Sequence, residues 1–176
     1  MAARVSRPKK TEAMVRGPGK VPIKLVVNDQ EFEIYIEPRR TLLDALRKDL
    51  GFTGTKKACD EGTCGACTVL LDRKLIYACM ALAIECEGKS IETIEGLERK
   101  GQLHPIQQAF IDEDALQCGF CTPGQVMSVR ALLDMNPNPA IEEVQHALTG
   151  NLCRCGAYPK ILKAALRAAE LLRQGA

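Results

Sequence analysis

From residue 23 the chain alternates apolar and polar positions. Ile23, Leu25 and Val27 fall on one face of a strand, Asn28-Asp29 offers a two-residue turn, and Phe32, Ile34 and Ile36 return on the same face. This pattern predicts a β-hairpin. The period then changes: Thr41 with Asp44 three positions on has the form of a capping box, and Leu42, Leu46 and Leu50 form a helical stripe that stops at Gly51. Further short strands are predicted at 68–71, 75–77 and 91–94, which together with the hairpin suggest a mixed sheet curled over one helix.

Beyond the polar stretch EGLERKGQ at 95–102, every periodic segment is helical: 105–113, 122–134, 141–148 and 159–172. These predict a small helix bundle. The second of them carries a start signal, with Thr122 as N-cap, Pro123 at the first helical position and Gln125 completing a box. The run Asn136-Pro137-Asn138-Pro139 separates it from the third, which Gly150 is expected to end. The fold class is therefore α+β. The expected division is a basic tail at 1–20, a strand-rich domain at 21–95, a connector at 96–102 and a helical domain at 103–176.

Charge changes the picture only at the N-terminus. The formal net charge of the 176 residues is +2, but residues 1–20 carry Arg4, Arg7, Lys9, Lys10, Arg16 and Lys20 against Glu12 alone, a balance of +5 that leaves −3 for the rest. With Pro8, Gly17, Pro18 and Gly19 and no apolar period, this stretch reads as a solvated basic extension, or an arm that orders on a partner, rather than a nucleic-acid site. No run approaches the roughly 18 apolar residues of a membrane span, and the N-terminus lacks the apolar core of a secretory signal. A cytoplasmic protein is expected.

Composition points to chemistry. Nine Cys stand against seven aromatics, no Trp and two His, and in a reducing compartment clustered cysteines bind metal or do redox work. Cys59, Cys64, Cys67 and Cys79 form C-x4-C-x2-C-x11-C, whose first three members have the plant-type ferredoxin spacing for a [2Fe-2S] cluster. Gly62 and Gly65 lie in that loop where the backbone must turn tightly and aim N–H groups at sulfur. A four-thiolate zinc site is the alternative, although zinc ribbons more usually present two C-x2-C knuckles.

Cys118, Cys121, Cys153 and Cys155 form a second set, C-x2-C then C-x-C, whose spacing alone suits zinc or a [2Fe-2S] cluster. Its position favours the cluster: each cysteine pair immediately precedes a predicted helix, so two helix starts would converge on an anionic centre. Cys86, in the apolar run ALAIECEG, has no partner at ligand spacing and is expected to be a buried thiol. His104 and His146 read as ordinary polar or capping residues, and Met127 and Met135 as bundle core and helix end.

At Gly54–Cys67 (GTKKACDEGTCGAC), Gln117–Gln125 (QCGFCTPGQ) and Gly150–Ile161 (GNLCRCGAYPKI) the sequence resembles the small iron–sulfur subunits of the molybdenum hydroxylases, the xanthine oxidase, aldehyde oxidoreductase and carbon monoxide dehydrogenase family. The match covers about residues 21–172. The resemblance implies a plant-type ferredoxin-like (β-grasp) domain followed by a four-helix bundle, each with one [2Fe-2S] cluster. It also implies that the helical cluster lies next to molybdopterin held by a large subunit, with Gln117 and Cys155 facing the pterin, and that the N-terminal cluster faces an acceptor, commonly a medium FAD-binding subunit. The basic tail and the Cys155-Gly-Ala-Tyr158 sequence, where others have Cys-Thr-Gly-Tyr, depart from many members.

The expected function is electron transfer from the molybdenum centre through two clusters to a flavin or other acceptor. No substrate site is expected in this chain, whose sequence contains no strand-following G-x-G-x-x-G, no P-loop and no acid–base constellation. A free-standing two-cluster carrier and a zinc-bound interaction module are the competing readings.

Overall fold

The computed structural model describes residues 17–175. Of the basic tail, residues 1–16 lie outside that range, and the four described residues that complete it are exposed. β1 (Val21–Val27) and β2 (Gln30–Ile36) pair antiparallel with Val27 opposite Gln30. Asn28 and Asp29 between them adopt φ 51° and 64°, the left-handed pair of the turn that matches strand twist. The same device, Asp72 and Arg73 at φ 48° and 64°, joins β3 (Thr68–Leu71) to β4 (Lys74–Tyr77). β5 (Ser90–Glu92) lies between β1, to which it is parallel, and β3, to which it is antiparallel, giving the mixed sheet order β2-β1-β5-β3-β4.

β5 is shorter than the apolar pattern suggests. The Asn28 side chain accepts from the Thr93 N–H (2.9 Å) and donates to its hydroxyl (3.0 Å), drawing the chain out of the sheet into a 3-10 turn at Ile94–Gly96. α1 (Leu42–Asp44) begins as expected, the Thr41 hydroxyl accepting from the Asp44 N–H at 3.2 Å. The reciprocal half of the box is not made, because the Asp44 carboxylate binds the Lys48 and Lys57 ammonium groups instead. The expected α-helical stripe also does not run regularly to Leu50: Ala45–Asp49 is π-helical, and the Leu50 N–H donates to Ala45 O. Leu42, Leu43, Ala45 and Leu46 are fully buried with Ile23, Leu25, Val27 and Ile91, the core of this half.

The second half holds α2 (Pro105–Asp112), α3 (Thr122–Met135), α4 (Ile141–Ala147) and α5 (Tyr158–Gln174). His104 caps α2: its Nδ1 accepts from the Ile106 N–H (3.2 Å) while the Gln107 side chain accepts from the His104 N–H (2.9 Å). At α3 the expected cap is displaced. The helix begins one residue early: Cys121, at φ −81° and ψ −16°, holds the N-cap position, Thr122 is the first helical residue, and no side chain caps the end. Gln125, expected to complete a box, is fully buried and donates to Asn151 O at 2.9 Å. α4 ends at Ala147, three residues before Gly150. What Gly150 provides is room: a Cβ there would lie 2.1 Å from the Tyr77 hydroxyl, which donates to Gly150 O at 3.0 Å.

The helical core gathers Ile106, Phe110, Met127, Val129, Ile161 and the alanines of α5. Two buried residues from ahead of α2 join it, Leu70 of β3 and Leu97 of the connector, so the sheet half and the helical half share a packed seam. On the sheet side Glu95 holds the start of the connector by accepting from the Gly54 N–H at 2.7 Å.

Candidate metal centres

The first cysteine loop leaves α1 and wraps back toward β3. Gly62 and Gly65 adopt φ 74° and 69°, conformations that turn the backbone inward at little cost only for glycine. The Thr63 N–H approaches Cys59 Sγ at 3.4 Å, and Cys59 and Cys64 share a hydrogen bond. Cys67, at the mouth of β3, and Cys79, beyond β4, are brought side by side by strand pairing, with Sγ to Sγ 3.4 Å and the Ala78 N–H donating to Cys67 O. The Tyr77 hydroxyl pKa is raised by burial and by the four cysteines of this set.

The second set is assembled by two helix starts. Cys118 and Cys121 precede α3, and Cys153 and Cys155 precede α5. Cys155 Sγ lies 3.5 Å from Cys118 Sγ, Cys121 pairs with Cys153, and the Ala157 N–H at the start of α5 donates to Cys153 Sγ at 3.4 Å. Cys153 is buried, whereas Cys118 and Cys155 are exposed. Gln117 is exposed and its Nε2 donates to Cys155 O at 3.1 Å.

Electrostatics separates the thiols by environment. The Thr63 contact and the Glu61 amide bring Cys59 down to about 6. Cys118 is held below the ordinary thiol value by the Phe120 amide and by Cys155. Burial opposes ionisation of Cys153, but the Ala157 amide and Cys121 outweigh it and its pKa is lowered. Burial pushes Cys67 and Cys121 up to about 12. Thiols held that high ionise near neutral pH only with a metal cation beside them.

Among the described residues no three Cys, His, Asp or Glu side chains gather as a single-ion site. The sulfurs come in twos, Cys59 with Cys64, Cys67 with Cys79, Cys118 with Cys155 and Cys121 with Cys153. Two such pairs at each place would supply the four thiolates that a [2Fe-2S] group takes. The donor set and the inward amides therefore fit [2Fe-2S] groups at both places.

The two centres adjoin. The Leu152 N–H, one residue before Cys153, donates to Cys64 O at 2.9 Å, and a groove of about 350 Å³ between them is lined by Cys64, Ala66, Phe120, Cys121, Leu152 and Tyr158. Cys86 stands apart, fully buried, with its Sγ 3.5 Å from Leu82 O. His146 is exposed on α4. Sequence reasoning gave no role to Asn151. Its signal, a lone amide between Gly150 and the ligand-spaced cysteines, has meaning only once the first loop is seen to lie against it.

Residues 25–91 match the family described as a 2Fe-2S iron–sulfur cluster binding domain, and residues 93–166 the [2Fe-2S] binding domain family. The chain is 44% identical over 151 residues to the nicotinate dehydrogenase small FeS subunit of Eubacterium barkeri, covering 86% of this chain and 96% of that one. It is 47% identical over 149 residues to the nicotine 6-hydroxylase small subunit of Paenarthrobacter nicotinovorans, covering 85% and 90%. Among solved structures, quinoline 2-oxidoreductase from Pseudomonas putida 86 superposes with TM-score 0.85 at 43% identity, over 89% of this chain and 98% of that one. The aldehyde oxidoreductase of Desulfovibrio gigas superposes with TM-score 0.83 at 36% identity, over 89% of this chain but 18% of that longer one.

Proposed function

Because the chain belongs to the small iron–sulfur subunits of the molybdenum hydroxylases, we propose that it carries electrons out of a partner's molybdopterin centre, from the helical half to the sheet half and on to an FAD-binding subunit. Each [2Fe-2S] group, when bound, accepts and returns one electron at a time. In this reading Cys59, Cys64, Cys67 and Cys79 hold one group and Cys118, Cys121, Cys153 and Cys155 the other. The division is a cluster domain at 21–95, a connector at 96–102 and a helical domain at 103–176 whose four helices form one bundle. The location is cytoplasmic; among the described residues no helix is long and apolar enough to cross a membrane.

One observation carries the direction. Cys118 and Cys155 are exposed beside Gln117, whose amide is held on Cys155 O, so the helical centre has an open face at which a pterin can be met by a polar group and a ligand thiolate together. The residues of this chain contribute in two ways: amides at Thr63, Phe120 and Ala157 offset negative charge at sulfur, and backbone contacts such as Leu152 N–H to Cys64 O fix the separation of the centres.

The test uses the native complex and rapid-freeze EPR during reduction by its substrate. Cys155→Ser is expected to lose or perturb the helical signal, to retain the sheet-half signal on chemical reduction, and to stop substrate from reducing the sheet half. Gln117→Ala is expected to keep both signals and slow their appearance several-fold, the loss of one polar contact of about 1 kcal/mol. Reduction of the sheet-half group at the normal rate in Cys155→Ser overturns this direction of flow.

A further inference from the structure

Three stretches of backbone meet between the two centres at Gly65, Gly124 and Gly150, with no room for a Cβ on any of the three. A Cβ on Gly65, in the first cysteine loop, would lie 2.3 Å from Gly150 O, and a Cβ on Gly124, in the first turn of α3, would lie 2.2 Å from Gly65 O. The Asn151 side chain is driven into this junction, 4% exposed. Its Nδ2 donates to Gly65 O (3.0 Å) and to the Thr68 hydroxyl (3.2 Å), and its Oδ1 accepts from the Ser128 hydroxyl (2.7 Å). Its own carbonyl accepts from Gln125 Nε2, and its N–H donates to Leu148 O at 3.0 Å. Asn151 thus binds the first cysteine loop, β3, α3 and the end of α4 while sitting two residues before Cys153. Thr68 in turn donates to Gly65 O at 2.6 Å, closing a small network.

Adhesion alone does not call for an amide here. An apolar side chain would fill the junction and favour burial, but it would hold the two loops equally well at several neighbouring offsets. A planar amide with two donors and one acceptor is satisfied at one offset only, and a slip leaves buried polar atoms unpaired, which costs more than any packing gain returns. Electron tunnelling falls steeply with separation, so an offset between two redox loops is itself a functional quantity.

We propose that Asn151 is a positioning residue that sets the separation and mutual orientation of the two iron–sulfur centres, and through them the rate of electron passage inside the subunit. This rests on the function proposed above. It concerns a residue that touches no metal ligand through its side chain and acts through Gly65, the neighbour of Cys64, and through its own chain to Cys153.

The test is made on the full chain in its native complex with two readouts, amide hydrogen exchange and EPR of the fully reduced state, in which two nearby half-integer spins split each other's signals. Asn151→Ala is expected to retain four irons per chain, to speed exchange of the Leu152 amide, which donates to Cys64 O, at least tenfold, and to diminish or reshape the splitting. Substrate reduction of the sheet-half centre is expected to slow at least several-fold while that of the helical centre does not. A fall in melting temperature with splitting and inter-centre rate as in the wild type overturns the proposal, because Asn151 would then be a packing residue. If Asn151→Ala does not assemble, Ser128→Ala decides: it frees one acceptor and leaves both Nδ2 bonds, and a smaller change of splitting in the same direction supports positioning, whereas wild-type splitting overturns it. Absence of two iron signals from the wild type would refute the proposed function separately, and Leu152 exchange alone would then decide whether Asn151 fixes the loops.

Discussion

A thiol packed among methyl groups with one carbonyl nearby differs chemically from a thiol beside a second sulfur and several amides. Cys86 is of the first kind: burial raises its pKa, and its Sγ lies 3.5 Å from Leu82 O. Cys86→Ser is therefore expected to leave iron at four per chain and both EPR signals intact, with a stability loss of about 1 kcal/mol seen as a lower melting temperature; loss of either signal would mean a wrong ligand set. His104 makes a different prediction. Burial and then Arg130 lower its pKa from 6.5, and its Nδ1 must be unprotonated to cap α2. The folded state thus binds its proton less readily than the unfolded chain, so its stabilisation is complete above about 6.5 and is lost as pH falls through the lowered folded value. His104→Asn keeps a capping acceptor without a titration and is expected to flatten the melting-temperature profile below pH 6.5.

At the scale of elements, α2 and α5 show how small residues set a distance. Ala164, Ala165, Ala168 and Ala169 are all buried in the core that also holds Ile106, Ala109 and Phe110 of α2, so the two helices approach on methyl groups. Ala168→Leu overfills that space and is expected to cost about 1–3 kcal/mol by denaturant unfolding with the m-value unchanged. The elements that were legible in sequence were those whose cause is local. Ile23 to Ile36 declare a hairpin because period two and a two-residue turn coincide, and His104-Pro105 sits where a helix must begin. The π-helical turn at Ala45–Asp49 was not legible, since Leu42, Leu46 and Leu50 make the same stripe for a regular helix. Thr122 misled because the helix begins one residue early, with Cys121 at the N-cap position. Gly150 misled because its partner, Tyr77, is remote in sequence.

For the whole molecule, the two sets of four cysteines were visible from spacing, and the structure adds their arrangement in pairs. What spacing could not carry was the seam between the halves, since its Asn151 and Tyr77 hydroxyl contacts join residues more than 70 positions apart in the chain. The basic stretch ahead of β1 contains no cysteine, so removal of residues 1–16 is expected to leave iron content unchanged. If that stretch docks on an acidic partner, its removal also lowers the yield of the complex and weakens its dependence on salt. Equal yield and equal salt sensitivity in the shortened chain would make it a solvated extension.

Leu70 gives the seam an evolutionary meaning. It belongs by sequence to the sheet and by packing to the helical core, so the point near residue 92 where one family match ends and the next begins is not a clean cut. A hybrid subunit spliced there from two relatives would set one parent's β3 against the other parent's α3. The two halves are thus coupled in volume: a change of side-chain size at Leu70 is expected to need an answering change in α3, so a splice at that boundary should fold well only when both parents match across the seam.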